Sequence, residues 1–213
     1  KWDGDNVNGR TLSHNLACTP GVIMVKCLTA SYSWQVYHTS LSASGSNGRD
    51  ATSWLFLDDS SGAVTSNSPG FNNVNNETFD VGSYVGCNSS GQKYVAYLFA
   101  HDDESDSIIK CGTYAGNSGA NRVELGWEPQ YVMIKGTSSS SWWWIYDTQR
   151  NGLRTYNNGT MNTNDATTGS LLFADTTSLE QSKVDIQADA TGFNLPAISD
   201  TPNENGKNFA YIA

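Results

Sequence analysis

Basic residues are scarce in this sequence. Its 213 residues hold 12 lysines and arginines against 21 aspartates and glutamates, so the formal net charge is −9. No run of lysine or arginine occurs, whereas nucleic-acid-binding domains normally carry a basic patch. The negative charge also repels anionic membranes and acidic polysaccharides at long range. We therefore expect no nucleic-acid partner.

Long apolar runs and closely paired cysteines are missing as well. No stretch approaches the ~20 apolar residues of a membrane helix, and no secretory signal is visible, so we expect no membrane insertion. The chain begins at Lys1 without a methionine, which suggests a fragment or a processed piece. None of the four cysteines forms a C-x-x-C pair, which argues against a zinc ribbon. Buried thiols are the simplest interpretation, with a Cys18–Cys27 hairpin pairing left open.

Familiar catalytic patterns are also absent from the sequence. Jelly-roll glucanases carry two facing carboxylates in a Glu-x-Asp-x-x-Glu strand, and no such motif occurs here. The three histidines are not accompanied by a G-x-S-x-G elbow, and no Walker or dinucleotide-binding glycine pattern is found. We therefore expect that the protein is not an enzyme.

What the sequence does contain is an internal repeat. PGVIMVKCLTASYSWQVYHTS begins at Pro20 and PQYVMIKGTSSSSWWWIYDTQ begins at Pro129, an offset of 129 − 20 = 109 without a gap. The openings of the two halves also correspond, WDGDN at Trp2 with YAGNS at Tyr114. The chain therefore contains two copies of one unit.

The closing segments of the two copies align as well, at a slightly different offset. Phe79 matches Phe193 and Lys93 matches Lys207, an offset of 193 − 79 = 114. A short acidic stretch, HDDESDS, separates the copies and is typical of a connection between them. We predict a first β repeat over 1–100, an acidic linker over 101–107 and a second β repeat over 108–213.

Strand signals dominate both copies. VIMVKC and YVMIKG are runs of β-forming residues bounded by polar turns, and no stretch shows a convincing helical period with caps. Loops rich in Asn, Ser and Gly separate these runs. The expected fold is all-β, a jelly-roll or lectin-like β-sandwich built from two tandem related units.

Three consecutive tryptophans, at 142–144, lie in one of these predicted strands. Side chains in a strand alternate between faces, so the three cannot all point the same way. Trp143 aligns with Trp34 and Ile145 aligns with Val36 at the offset of 109. This Trp-x-aliphatic face, which both copies share, is predicted to be the core face.

The opposite face of the same strand differs between the copies. It reads Ser, Gln, Tyr at 33, 35 and 37, but it is aromatic in the second copy, at Trp142, Trp144 and Tyr146. Exposed aromatics stack on sugar rings and also anchor protein interfaces. We predict that these three residues form a packing interface or a ligand platform; a misread strand register is the remaining alternative.

The acidic stretch between the copies offers oxygen ligands for a hard cation. Asp102, Asp103 and Asp106 are candidate calcium ligands, although the stretch lacks the glycine and distal glutamate of an EF-hand. A solvated linker is the competing interpretation, since short charge runs are usually exposed. Asp3 and Asp5 form a similar weak candidate. Apart from calcium at these positions, we expect no cofactor.

The linked phrases of the chain resemble a known family. YVAYLFAHDDESDSIIKCGTYAGN, LGWEPQYVMIKGTSSSSWWWIYDTQRNG and LSHNLACTPGVIMVKCLTASYSWQVYHTSL are similar to a domain of tail and other virion proteins of tailed bacteriophages, many of them marine cyanophages. The resemblance covers nearly the whole chain, and the short acidic linker departs from the family pattern. It implies a concanavalin A-like jelly roll in a tail fibre, tail tip or surface appendage.

The resemblance also implies a function. The expected role is that of a non-enzymatic virion structural protein in host-surface adhesion or appendage assembly; the alternatives are capsid decoration and a polysaccharide depolymerase. The implied partners are other virion proteins, further copies of the chain in a homo-oligomer such as a trimer, and host-surface glycan. The implied location is the virion, after synthesis in a bacterial cytoplasm where cysteines stay reduced.

Overall fold

The structure is a computed structural model that describes residues 1–41, 53–66, 70–102, 107–155, 168–184, 186–197 and 202–213. The chain divides into two compact units, Lys1–Asp103 with Ile109–Cys111 and Glu104–Ile108 with Gly112–Ala213. The prediction of an all-β sandwich built from two related units is confirmed. No helix within the described ranges is long and apolar enough to span a membrane.

The first unit contains two antiparallel sheets. Its strands are β1 (Trp2–Asp3), β2 (Arg10–Ser13), β3 (Pro20–Cys27), β4 (Gln35–His38), β5 (Ser53–Phe56), β6 (Val64–Thr65), β7 (Phe71–Asn72), β8 (Thr78–Val81) and β9 (Lys93–Ala100). The large sheet has the order β1-β9-β3-β4-β5-β6 and the small sheet the order β2-β8-β7. A 3-10 helix, Thr39–Leu41, follows β4. A single turn of α-helix, α1 (Val85–Asn88), precedes β9.

The second unit repeats this arrangement with one more strand in its smaller sheet. Its strands are β10 (Cys111–Ala115), β11 (Asn121–Glu124), β12 (Tyr131–Gly136), β13 (Trp143–Asp147), β14 (Leu153–Thr155), β15 (Thr168–Phe173), β16 (Gln181–Val184), β17 (Ile186–Asp189), β18 (Gly192–Leu195) and β19 (Asn208–Ile212). The large sheet has the order β10-β19-β12-β13-β15-β16, and the small sheet has the order β11-β18-β17-β14.

Each unit buries its own core between its two sheets, because alternate side chains of every strand point inward. In the first unit, Ile23 and Tyr37 of the large sheet share one cluster with Phe79 of the small sheet. In the second unit, Ile134 of the large sheet shares a cluster with Phe193 of the small sheet. Each unit is therefore a two-layer sandwich with a separate hydrophobic core.

The strand register supports the repeat offset of 109. Val22 of β3 pairs with His38 of β4, and Tyr131 of β12 pairs with Asp147 of β13. Both members of the second pair lie 109 residues after their counterparts, since 131 − 22 = 147 − 38 = 109. The β3–β4 and β12–β13 hairpins are thus equivalent residue by residue.

The closing strands require a correction of one residue. Val25 pairs with Ala96 of β9, and Ile134, the equivalent of Val25, pairs with Tyr211 of β19. The two strands therefore align at 211 − 96 = 115, and the predicted offset of 114 is wrong for this segment. The second unit therefore has one additional residue between Phe193 and β19. Sequence similarity alone does not show where in this segment the residue is inserted.

The first aromatic of each unit is held in the same way. Trp2 stacks on Tyr94 with ring centres 5.4 Å apart and planes 18° apart. Tyr114 stacks on Phe209 with ring centres 5.3 Å apart and planes 17° apart. These stacked pairs tie the first strand of each unit to its last strand and confirm that WDGDN and YAGNS correspond.

Candidate functional site

Both faces of β13 carry buried aromatic side chains. Trp144 lies opposite Ile134 and Tyr146 lies opposite Val132, and all four belong to the core of the second unit. Trp144 is 8% exposed and Tyr146 is 1% exposed. Both lie in the core of the second unit, and Trp143, on the face that was predicted to be the core face, is buried as well, at 2% exposed.

The first unit shows why the sequence was misleading. Gln35 and Tyr37 occupy the equivalent inward positions and are buried. A Cβ on Gly86 would lie 2.6 Å from the Gln35 amide nitrogen, so α1 packs directly on this side chain. The Gln35 amide donates to the Ser33 carbonyl at 2.8 Å. A buried, hydrogen-bonded glutamine thus gave this face a polar pattern that is typical of a surface.

The opposite face of the same hairpin carries a repeated lysine–tryptophan contact, and Lys135 and Trp143 are both buried there. The ammonium of Lys26 lies 5.8 Å from the ring centre of Trp34, and that of Lys135 lies 5.7 Å from the ring centre of Trp143. Each ammonium also donates to a backbone carbonyl six residues later in the chain, at 2.6 and 2.5 Å. The shared tryptophan face therefore has the same structural role in both units.

Trp142 is the exposed member of the predicted aromatic site. Its side chain is 46% exposed, its ring lies 4.9 Å from that of Phe173, and it meets Trp144 edge-on at 6.4 Å. The Trp142 ring is therefore partly open to solvent and contacts the rings of Phe173 and Trp144. A ligand or interface role for this surface stays a prediction.

A cavity of about 360 Å³ lies in the second unit, beside the start of β12. Its walls are Ser107, Ile108, Trp127, Glu128, Gln130, Tyr131 and Ala213. Cavities that hold small ligands measure roughly 300–1,000 Å³, with mostly apolar walls and a few polar groups. Its size is therefore at the lower end of that range.

The cavity combines two aromatic side chains with hydrogen-bonding groups. Trp127 is half-buried, and its indole nitrogen is shielded from solvent without a hydrogen-bond partner in the described part of the chain. Tyr131 is 42% exposed, and its partial burial raises the pKa of the phenol. Gln130 both donates and accepts, and the Glu128 carboxylate accepts. These walls therefore combine aromatic surface with hydrogen-bonding groups.

A family model described as "Domain of unknown function (DUF7483)" matches residues 1–213. The chain belongs to the DUF7483 family. No curated protein and no solved structure matches it. The match spans both sandwich units, so the DUF7483 domain comprises the duplicated pair.

The predicted calcium ligands of this DUF7483 chain are only partly within the described residues. The Asp102 backbone amide donates to the Ile109 carbonyl at 3.4 Å. Asp103 and Asp106 lie outside the described residues, so the calcium prediction for these positions stays a prediction. Within the ranges that the structure describes, no group of three or more His, Cys, Asp or Glu side chains could hold a metal ion.

The weaker calcium candidate at the start of the DUF7483 chain consists of ion-paired carboxylates. Asp3 lies 2.7 Å from the Lys93 ammonium, which lowers the pKa of Asp3 by hydrogen bonding and charge. Asp5 lies 3.2 Å from Arg10 and accepts from the Val7 amide at 2.9 Å. Both carboxylates are therefore engaged in ion pairs within the first unit.

The DUF7483 cavity was not identified from the sequence. Its walls come from segments around 107, 127–131 and 213, which only the fold brings together. A signal was present in the phrase WEPQY, which stands where the first copy has CTPGV. The first copy has small residues at the positions that line the cavity, and the second copy has large aromatic or hydrogen-bonding ones.

Proposed function

We propose that the chain is a non-enzymatic structural component of a tailed-bacteriophage virion, in a tail fibre or surface appendage. There it serves adhesion to host-surface glycan or assembly of the appendage. The proposal rests on the resemblance of the three quoted phrases to phage virion domains. Synthesis in a bacterial cytoplasm fits the four free cysteines, because that compartment keeps thiols reduced.

One structural observation carries the adhesion part of the proposal. Both units share their internal framework, including the stacked aromatic pairs and the lysine–tryptophan contacts. Their surfaces differ: Trp142 stands where the first unit has Ser33, and Tyr131 stands where the first unit has Val22. A rigid scaffold with changed surface residues is the arrangement that recognition modules use.

The proposal can be tested by measuring what the purified chain binds. The fluorescently labelled protein is applied to a glycan array and to a panel of bacterial cells, and in parallel to purified phage capsids and tails. Binding to glycans or cells, or to tails, supports the proposal. Binding to capsids alone identifies a decoration protein instead, and release of reducing ends from polysaccharide at catalytic amounts of protein identifies a depolymerase.

A further inference from the structure

Five asparagines of the chain are followed directly by a glycine, at Asn8, Asn47, Asn151, Asn158 and Asn205. In such a pair the glycine backbone nitrogen can attack the side-chain amide carbon of the asparagine, because the glycine has no Cβ to hinder the approach. A hydrogen bond from the glycine N–H, or burial of the pair, slows this attack. Asn47 and Asn158 lie outside the described residues, so the structure distinguishes among the other three pairs.

Asn205 and Gly206 form an exposed turn immediately before β19. Both residues are exposed, and the Lys207 amide donates to the Glu204 carbonyl at 3.2 Å across the turn. Gly206 has a φ of +75°, and a Cβ built on it would have no neighbour within 4 Å. The turn therefore stands in open space, where its atoms can move without a clash.

The two groups that would react in this turn are unpaired. Within the part of the chain that the structure describes, neither the Gly206 N–H nor the side-chain amide of Asn205 forms a hydrogen bond. The backbone N–H of Asn205 donates to the Ser118 hydroxyl at 3.0 Å, which ties the turn to the loop before β11. The nucleophilic nitrogen and the carbon that it attacks are thus neighbours without competing contacts.

The equivalent turn of the first unit lacks both features. At the offset of 205 − 90 = 115, Asn205 corresponds to Ser90, which has no amide to attack. Gly91, the counterpart of Gly206, has a similar φ of +77°. Its N–H, however, donates to the Gly4 carbonyl at 3.2 Å. The reactive pair is therefore a property of the second unit alone.

The other two described pairs are protected by the fold. The Gly9 amide donates to the Val81 carbonyl at 3.1 Å, so its nitrogen can attack only after this bond breaks. Gly152 is buried, and its backbone lies so close to the Ser170 carbonyl that a Cβ would clash with it. Of the three pairs, the one at Asn205 is the best placed to react.

We infer that Asn205 is a site of spontaneous deamidation. The Gly206 nitrogen forms a bond to the Asn205 Cγ, the side-chain nitrogen leaves as ammonia with the proton of the Gly206 N–H, and a succinimide ring results. Water then opens the ring. Cleavage of the bond between the Gly206 nitrogen and Cγ gives aspartate, whereas cleavage of the bond to the backbone carbonyl carbon gives isoaspartate. Either product adds one negative charge to the turn.

The modification changes the turn that leads into the last strand of the second unit. In isoaspartate the main chain runs through the side-chain carbon, so the turn gains a backbone atom and the hydrogen bond from Lys207 to Glu204 no longer fits. β19, which starts at Asn208, lies between β10 and β12 in the large sheet. The reaction therefore alters the second unit with time and leaves the corresponding turn of the first unit unchanged.

The test follows the folded wild-type chain and the Asn205→Ser variant during a long incubation at neutral pH and physiological temperature. Asn205→Ser introduces the first unit's residue at an exposed position, so it keeps the turn and removes the reactive amide. Samples are digested at mildly acidic pH, where the reaction is slow, and mass spectrometry measures the conversion of amide to acid in each peptide. Chromatography separates the aspartate and isoaspartate forms. A wild-type sample unfolded in urea is incubated in parallel.

In the folded wild type, Asn205 should deamidate about two- to tenfold faster than Asn8, the factor expected from the one hydrogen bond that protects Gly9. Conversion at Asn151 should be slower still. The rates at Asn205 and Asn8 should converge in urea, because the unfolded chain has lost the protecting bond. In Asn205→Ser the rate at Asn8 should be unchanged.

Three outcomes overturn the inference. The first is a rate at Asn205 in the folded protein that does not exceed the rate at Asn8. The second is a difference between the two that persists in urea, since it then comes from the local sequence rather than from the fold. The third is the formation of aspartate without isoaspartate, which indicates direct hydrolysis and excludes attack by the Gly206 nitrogen. All three are read from the wild type, so they decide the inference even if Asn205→Ser fails to fold.

Discussion

Asn88 and Asn203 hold equivalent buried positions in the two units, 203 − 88 = 115 residues apart, and each is fully buried. The Asn88 amide donates to the Asp5 carboxylate at 2.8 Å and to the Val7 carbonyl at 2.9 Å. The Asn203 amide donates to the Gly119 carbonyl at 2.6 Å. Because Val7 and Gly119 correspond at the offset of the opening segments, one buried amide fixes the same loop in both sandwiches.

Removing either amide should destabilise the protein. We expect Asn88→Ala and Asn203→Ala each to lower the free energy of unfolding by about 1–3 kcal/mol, because the loop groups that they bind are left without partners. Urea unfolding measures the change. Asn15→Ala, at an exposed position, is the control and should change stability by less than about 0.5 kcal/mol. Equal losses of stability in all three variants would contradict the role of the two buried amides in fixing the loops.

The two tryptophans beside Trp143 should respond differently to truncation. Trp144 is in the core, so Trp144→Ala should cost about 3–5 kcal/mol of stability. Trp142→Ser should cost less than about 1 kcal/mol, because almost half of the side chain is exposed. Thermal or urea unfolding of both variants measures this difference. Comparable losses would mean that the strand faces are assigned incorrectly.

Solution mass tests whether the exposed Trp142 is an assembly surface. If it anchors a homo-oligomer, Trp142→Ser lowers the mass measured by light scattering to that of a smaller assembly, since aromatic anchors dominate interface energies. An unchanged mass removes Trp142 from the interface. The comparison is made at several protein concentrations, because a weak oligomer dissociates on dilution.

The four thiols should differ in reactivity. Cys27, Cys87 and Cys111 are buried, and Cys18 is partly exposed. Burial raises the pKa of the Cys111 thiol to about 12 and also raises that of Cys87, which suppresses the reactive thiolate. We expect Ellman's reagent to label one thiol in the native protein and four after unfolding. Native labelling that survives Cys18→Ser would contradict this assignment.

The Arg122–Asp189 pair should contribute a pH-dependent part of the stability. Asp189 pairs with Arg122 and accepts a hydrogen bond from the Thr191 amide at 2.9 Å. These contacts lower the pKa of Asp189, and the hydrogen bond from Arg122 has the largest effect. A carboxyl with a lowered folded-state pKa stabilises the fold above its unfolded pKa of about 3.9. That contribution is lost as the pH falls from there towards the folded-state pKa.

Melting temperatures between pH 5 and pH 2 measure this contribution. Asp189→Asn should melt below the wild type at pH 5, and the gap should shrink as the pH falls, because the carboxyl of the unfolded wild-type chain then takes up a proton, which the folded state with its lowered pKa resists. The effect is modest, since the pair lies near the surface and salt screens it. A gap that stays constant with pH would contradict the assignment to Asp189.

The sequence predicts the fold class and the repeat because both depend on local patterns. Strand-length runs after prolines and the 109-residue offset need no tertiary information. The faces of β13 could not be predicted, because Trp143 is 2% exposed and Tyr146 1% exposed, on opposite sides of the strand. When both faces are covered, alternation carries no signal about which one points into the sandwich.

The candidate cavity illustrates a second limit of sequence reasoning. Tyr131 and Trp127 belong to a recognisable phrase, but Ser107 and Ala213 reach the same cavity from distant parts of the chain. Composition and spacing do not show that these segments meet.

In each sandwich the first strand pairs with the last strand, and this pairing affects how the unit can be duplicated in a gene. β1 lies beside β9 and β10 lies beside β19, so each unit begins and ends at the same sheet edge. A gene segment that encodes one unit can then be copied head to tail without interrupting any existing strand order. Tandem duplication followed by divergence, in which one copy preserves the architecture while the other acquires new surface chemistry, is the evolutionary route that this connectivity permits.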